Sequence, residues 1–295
     1  MDWLAHFPQM NDAQLRDLKK AIDDGFRTFT RTYGDSIEAF FNPLKWFLVQ
    51  AETFMTQTPW PIIMLLVAAI AWGASRSWRV VLGAVATLAL IGYFGMWEDA
   101  MRTISMIVVC TVLSILIGLP LGIWMARSDR AQGFINPILD VMQTMPSFVY
   151  LIPVVMLLGI GKVPGLIAVV IYALPPMIRL TNLGIRLVDK DVLEAADAFG
   201  TSPWQKLWTV QLPLALPTIM TGINQTIMMA LAMVVIAAMI GVQGLGQPVL
   251  KAIANQYFTL GIFNGLAIVG IAVMFDRVSQ AYGRRLQKHR EVVHG

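Results

Sequence analysis

The chain has 295 residues, of which 57% are hydrophobic and 14% charged, and its mean hydropathy is +0.64. A soluble globular domain rarely carries so little charge, and several apolar runs can cross a hydrocarbon core of about 30 Å, which takes roughly 20 residues of helix. This is the composition of a polytopic membrane protein, and the net charge of +4 reads as loop charge that sets orientation, with no nucleic-acid surface implied.

The opening residues, MDWLAHFPQMNDAQLRDLKK, lack the basic-then-apolar order of a cleaved signal peptide, so insertion through the chain's own spans is expected. Residues 1–58 are the most polar stretch. Within them Leu15, Leu18, Ile22, Phe26 and Phe29 recur at helical spacing, followed by Phe40, Phe41, Leu44, Phe47 and Leu48, which fits one or two amphipathic helices. Such helices either lie on the membrane surface or pack only on neighbouring protein.

Seven apolar spans follow, at 60–74, 78–97, 103–125, 137–159, 164–182, 214–240 and 259–278, the first of them short. Arg76 and Arg79 separate the first two spans, Arg127 and Arg130 follow the third, Arg179, Arg186, Lys190 and Lys206 surround residues 193–217, and Arg277, Arg284, Arg285, Lys288 and Arg290 run from the end of the seventh span onward. The intervening loops hold Glu98 and Asp99, or Lys162 alone, or Lys251 alone. Basic residues stay on the cytoplasmic side, so the C-terminus is expected inside and the N-terminal tail outside, unless residues 60–74 only dip into the interface. Proline and glycine interrupt the spans at Gly118, Pro120 and Gly122, at Pro146 and Pro153, and at Pro175 and Pro176. A proline removes a backbone donor, which lipid tolerates only where protein or water satisfies the freed carbonyl. Helices that line a path and helices kinked by ordinary close packing both meet that condition.

Several chemistries are excluded. Cys110 is the single cysteine, so no internal disulfide forms. His6, His289 and His294 lie near the termini with no HExxH or CxxC, so no metal site is expected. GxxxxGK[ST] is absent, so the chain is no P-loop ATPase. Asp140, with Asn136 and Pro137 read as N-cap and first helical position, is expected to have a structural role at a positive helix end. Phe148 and Tyr150, beside Pro146 and Pro153, either line a path offering cation–π contacts or simply pack. Asn224 and Gln225 either face that path or bond between helices.

The stretch LEAADAFGTSPWQKLWTVQLPLALP, residues 193–217, is unlike the spans around it. Asp191 to Phe199 reads as a short helix with Val192, Ala195, Ala196 and Phe199 along one side and Glu194 and Asp197 toward its positive end. Gly200 ends it. Ser202, Pro203 and Gln205 then form an N-cap, a first-turn proline and a Ser-x-x-Gln capping box, and Trp204, Leu207 and Trp208 give the second helix an apolar edge. Leu212-Pro213 is expected to break that helix ahead of the next span. Two capped helices are more than a connection of about 4 to 6 residues needs. They form either a docking surface or an element flat on the membrane.

Glu194, Ala195, Ala196, Gly200, Val210, Leu212 and Pro213, at this spacing, resemble the EAA loop of ATP-binding cassette importer permeases, with Val210 where isoleucine is commoner. QTMPSFVYLIPVV, YALPPMIRLTNLGIR, LPLALPTIMTGINQTIMMALAMVVIAAMIG and GLGQ resemble the permease of glycine betaine/proline importers, the quaternary-amine branch, over roughly residues 100–280. The resemblance implies an all-α bundle, a coupling loop seated in a cytoplasmic ATPase subunit, a homodimer, an external substrate-binding protein, and no cofactor in this chain, since ATP and magnesium belong to the ATPase. It also implies that Glu194 supplies charge, Ala195 and Ala196 keep the contact close, Gly200 turns the chain, and Val210, Leu212 and Pro213 anchor the second helix. In this frame residues 1–58 are a tail, 59–98 the N-terminal spans, 99–282 the permease core with its loop at 190–213, and 283–295 a basic tail. Pro146, Phe148, Tyr150, Asn224 and Gln225 are candidate path residues, and Gly244, Leu245 and Gly246, within GVQGLGQP, match an external gate loop; a plain turn is the other reading of that segment. An ion-coupled carrier or channel for small zwitterions is the alternative, although the inverted repeat common in such carriers is missing.

Overall fold

The computed structural model describes residues 10–291, with side chains through Arg285; His6 and His294, and the side chains of Lys288, His289 and Arg290, lie outside that description. The described residues form helices and no strands. The expected one or two tail helices are a single helix, α1 (Asp12–Gln57), whose Asn11 cap accepts from the Ala13 N–H at 3.2 Å. Leu15, Leu18, Ile22 and Phe29 in its first half and Phe40 in its second are exposed, while Leu48 nearer the C-terminal end is buried. Thr58 is extended, as a residue before proline must be, and at Pro59 the chain bends by 110° into α2 (Trp60–Ser75).

Both α2 and α3 (Trp78–Tyr93) have 16 residues, short for a span. The centre of the bundle is α4 (Trp97–Arg127), α7 (Lys162–Arg186) and α10 (Leu212–Ala237), with α7 packed against both others. Gly122 shows why α4 and α7 approach so closely: a Cβ there would sit 2.5 Å from Thr181 Cβ and 2.8 Å from the Ile178 carbonyl. Pro175 and Pro176 lie buried inside the unbroken α7. Small residues at the crossing replace the missing hydrophobic drive between helices in lipid.

The span expected at 137–159 is not one helix. Ser128 caps α5 (Asp129–Thr144), Met145 turns extended ahead of Pro146, and after a single turn of 3₁₀ helix at Ser147–Tyr150 the chain enters α6 (Leu151–Leu158), the two arms meeting at 111°. Asn136 and Pro137 therefore lie inside α5 and do not start it. Pro137 removes one backbone donor, yet α5 continues through it. Asp140 is consequently far from the helix start and pairs with Arg179 of α7.

Among the described residues four helices are long and apolar enough to cross a membrane, two more candidates are the bent pairs, and α3 is a shorter apolar helix, which together occupy the seven expected places. α8 (Lys190–Ala198) and α9 (Pro203–Lys206) precede α10, and α11 (Gly246–Asn255) precedes α12 (Phe258–Glu291). One end of the bundle, the α8 end, gathers Arg127, Arg186 and Arg285; the opposite α1 end gathers Glu52, Arg102 and Lys162.

Candidate coupling site

Asp189 caps α8, accepting from the Asp191 N–H at 3.0 Å. At the other end Gly200 has φ +75°, a left-handed conformation that glycine adopts without steric cost. There the Thr201 N–H reaches the Ala196 carbonyl at 3.2 Å and the Gly200 N–H reaches Asp197 at 2.9 Å, closing a Schellman turn. Ser202 and Gln205 then complete the expected capping box. Asp197 lies in the last turn of α8, away from its positive end, where it accepts from Lys206 Nζ at 2.6 Å and ties the two helices together. The turn is thus held by backbone bonds, a reciprocal cap and an ion pair.

Beyond it the expected break is absent. Residues Leu207–Gln211 form a π turn, with the Leu212 N–H bonded to the Leu207 carbonyl, and the helix runs on into α10. Pro213 can neither donate a bond nor fit an ordinary i−4 carbonyl. One extra residue in the turn moves that carbonyl aside, so the helix is widened where a break was expected. Leu207 is completely buried against Met177, Ile185, Ala215 and Ile219, and Leu212 packs on the same cluster. Val210 is half-buried and Pro213 exposed, so Leu207 is the deepest anchor of the loop.

Arg186 secures the other side. Its guanidinium donates to Asn182 Oδ1 at 3.1 Å and to the Met125 carbonyl at 2.9 Å, and pairs with Asp129 at 2.8 Å, joining the ends of α4 and α7 to the start of α5. The fork geometry of arginine suits such a three-way junction. Arg127 stands 5.7 Å over the Trp204 ring, which in turn meets Trp208 edge-on at 6.0 Å. From this fixed base α8 projects an open face: Val192, Glu194 and Ala195 are exposed and Phe199 is 89% exposed, while Ala196 is buried and Leu193 half-buried.

The other sequence candidates occupy different places. Pro146 and Phe148 sit at the α5–α6 bend with Phe148 exposed, whereas Tyr150 is buried, donates to the Met142 carbonyl and meets Tyr172 edge-on at 5.7 Å. Asn224 donates to Asp276 at 2.9 Å and accepts from Ser279 at 2.5 Å, joining α10 to α12, while Gln225 is exposed. Gly244 has φ +137° and a Cβ there would strike Thr103 Oγ1 at 2.5 Å. The same hydroxyl accepts from the N–H of the fully buried Leu245 at 2.9 Å, and Gly246 starts α11 against the Val235 carbonyl. This segment is a packed turn tied to α4. Sequence reasoning placed Leu207 on an apolar edge and Arg186 among the loop charges but missed both as anchors, because the surfaces they hold belong to segments distant in the chain.

Residues 118–288 match the family described as "Binding-protein-dependent transport system inner membrane component". The chain is 50% identical over 293 residues to the glycine betaine/proline betaine transport system permease protein ProW of Escherichia coli (strain K12), covering 96% of this chain and 82% of the relative. It is 45% identical over 262 residues to the glycine betaine/carnitine transport permease protein GbuB of Listeria monocytogenes serotype 1/2a (strain 10403S), covering 88% and 89%. In fold it is similar to the inward-facing MetNI methionine ABC transporter, with a TM-score of 0.58 at 20% identity over 63% of this chain and 93% of that one. An all-helical bundle with this loop and these relatives belongs to the family of binding-protein-dependent transport system inner membrane components.

Proposed function

We propose that this chain is the permease subunit of an ATP-binding cassette importer for glycine betaine or a related quaternary amine such as choline or proline betaine. Two copies form the path, two cytoplasmic ATPase subunits bind below and a substrate-binding protein delivers substrate from outside. The observation that carries the coupling role is the open face of α8 on a rigid, multiply anchored base. An apolar strip of Val192, Ala195 and Phe199 with Glu194 beside it suits a protein groove, and an exposed aromatic at its C-terminal end suits a buried contact.

Movement passes through this element only if it is stiff. Closure of the ATPase pair on ATP pushes α8; the Schellman turn, the Lys206–Asp197 pair and the continuous α9–α10 helix carry that displacement into the centre of the bundle, while Arg186 carries it into α4 and α5. The chain performs no chemistry itself; ATP and magnesium act on the partner. Phe148 and Gln225, both exposed, are the side chains proposed to face the path, and Asn224 holds α12 behind it. Orientation follows the basic residues, with the α8 end cytoplasmic and α1 outside. The carrier alternative draws no support from relatives that are transport system permease proteins.

The test is purification of the tagged chain from its native membrane in mild detergent beside a Glu194→Lys variant. A nucleotide-binding subunit should be retained by the parent and lost, or weakened at least tenfold, by the variant. A chain that purifies alone and moves substrate into vesicles without ATP would overturn the reading.

A further inference from the structure

A cleft opens at the α1 end of the bundle, between the α1–α2 elbow and the adjoining ends of α3 and α4, away from the coupling loop. Three aromatic side chains form its rim: Trp60 at the start of α2, Tyr93 at the end of α3 and Trp97 at the start of α4. Tyr93 is 86% exposed and Trp60 63% exposed, which is costly in water for rings of this size unless something covers them. Three helix ends meeting at one level, each with a tryptophan or tyrosine, mark the boundary between hydrocarbon and head groups. Gly92 contributes by what it lacks, since a Cβ there would lie 3.3 Å from the Trp97 ring. Its absence lets Trp97 lie against the backbone of α3 and keeps the cleft open.

The cleft changes character with depth. Met64, Leu88 and Ala89 of α2 and α3 make an apolar floor, while Thr56, Gln57 and Thr58 at the elbow offer hydroxyl and amide groups above it. A molecule that satisfies both has a hydrocarbon tail and a hydrogen-bonding head. Charge then selects the head. No lysine or arginine lines the cleft, and beside Trp97 stand Glu98 and Asp99. These two join Glu52 around Arg102, with Lys162 on Glu52, so three carboxylates face two cations and this end of the bundle carries a net negative charge near the cleft's Trp97 side. That nearby negative charge and the three aromatic rings attract an ammonium group and disfavour a head group of net negative charge.

We infer that this cleft holds a zwitterionic phospholipid of the leaflet at the α1 end, its amine on the Trp60–Tyr93–Trp97 rim and its acyl chain along Met64, Leu88 and Ala89. The lipid fills the elbow where α1 leaves the bundle and so fixes the angle between α1 and α2. This inference concerns the membrane alone and stands apart from the identity of the transported substrate.

Native mass spectrometry of the purified complex, titrated with phosphatidylethanolamine or phosphatidylglycerol of the same acyl chains, tests it. Phosphatidylethanolamine should be retained in preference. A Trp60→Ala/Tyr93→Ala pair should weaken it about fivefold or more, as loss of two ring faces implies, while Trp60→Phe/Tyr93→Phe should restore most of the binding. Ala89→Trp, which fills the floor and leaves the rim intact, should abolish retention. Equal retention of the two lipids, or retention unmoved by Ala89→Trp in protein that unfolds at the parental temperature, would overturn the site. So would displacement of the lipid by glycine betaine or choline, because the cleft would then take a soluble amine.

Discussion

Gly200 occupies the one backbone position in the α8–α9 loop that an L side chain resists. At φ +75° a β-branched residue costs about 1 kcal/mol or more, although open space surrounds the site. The cost is therefore conformational and not steric crowding by neighbours. A Gly200→Val variant should keep its spans folded and its ATPase partner bound, yet turn over ATP with uptake reduced roughly tenfold. Parallel assays of ATP hydrolysis and substrate uptake in proteoliposomes check this, and undiminished uptake would count against a rigid-turn mechanism. Gly122 presents the opposite case: its helical backbone suits any residue, and what forbids a side chain is the Thr181 and Ile178 surface of α7.

Among the elements, the π turn at Leu207–Gln211 is the clearest consequence of one residue on its neighbours. Without Pro213 the segment would regain ordinary α-helical bonding, favoured by about 3 kcal/mol per proline removed from a helix interior. One residue fewer in the turn would rotate α9 by about 100° relative to α10. That rotation would carry Trp204 away from Arg127 and swing α8 off its base. Pro213→Ala should accordingly leave thermal stability unchanged or raised while uptake falls several-fold. A parallel loss of stability and uptake would show that Pro213 matters for packing and not for register. The α5–α6 bend follows the same logic with the other outcome, because Pro146 is preceded by an extended Met145 and no π turn absorbs it.

For the whole molecule, the two ends of the bundle carry distinct charge chemistry. Arginines dominate the α8 end, and the mixed Glu52–Arg102–Lys162 cluster closes the α1 end, with Lys162 Nζ 2.7 Å from Glu52. Since Cys110 is fully buried, the parent chain offers no background to a thiol reagent. In intact cells an impermeant maleimide should label Glu38→Cys and should label Phe199→Cys only after permeabilisation. The reverse pattern would place the coupling loop outside and exclude an ATPase contact.

Much of this architecture was legible in the residues themselves. The apolar segments, the Ser202–Gln205 capping box, the left-handed Gly200 and the open face of α8 follow from local rules: hydrocarbon thickness, orphan N–H groups and the steric freedom of glycine. Only the tertiary structure decided which prolines break a helix and which are absorbed: Pro137, Pro175 and Pro176 lie inside continuous helices, Pro146 follows an extended Met145, and a π turn precedes Pro213. Only it decided that Arg186 and Leu207 secure the loop, that Tyr150 is buried, and that Leu245 is tied to Thr103. Each of those contacts joins segments far apart in the chain, and no local pattern records which distant partner a side chain will meet.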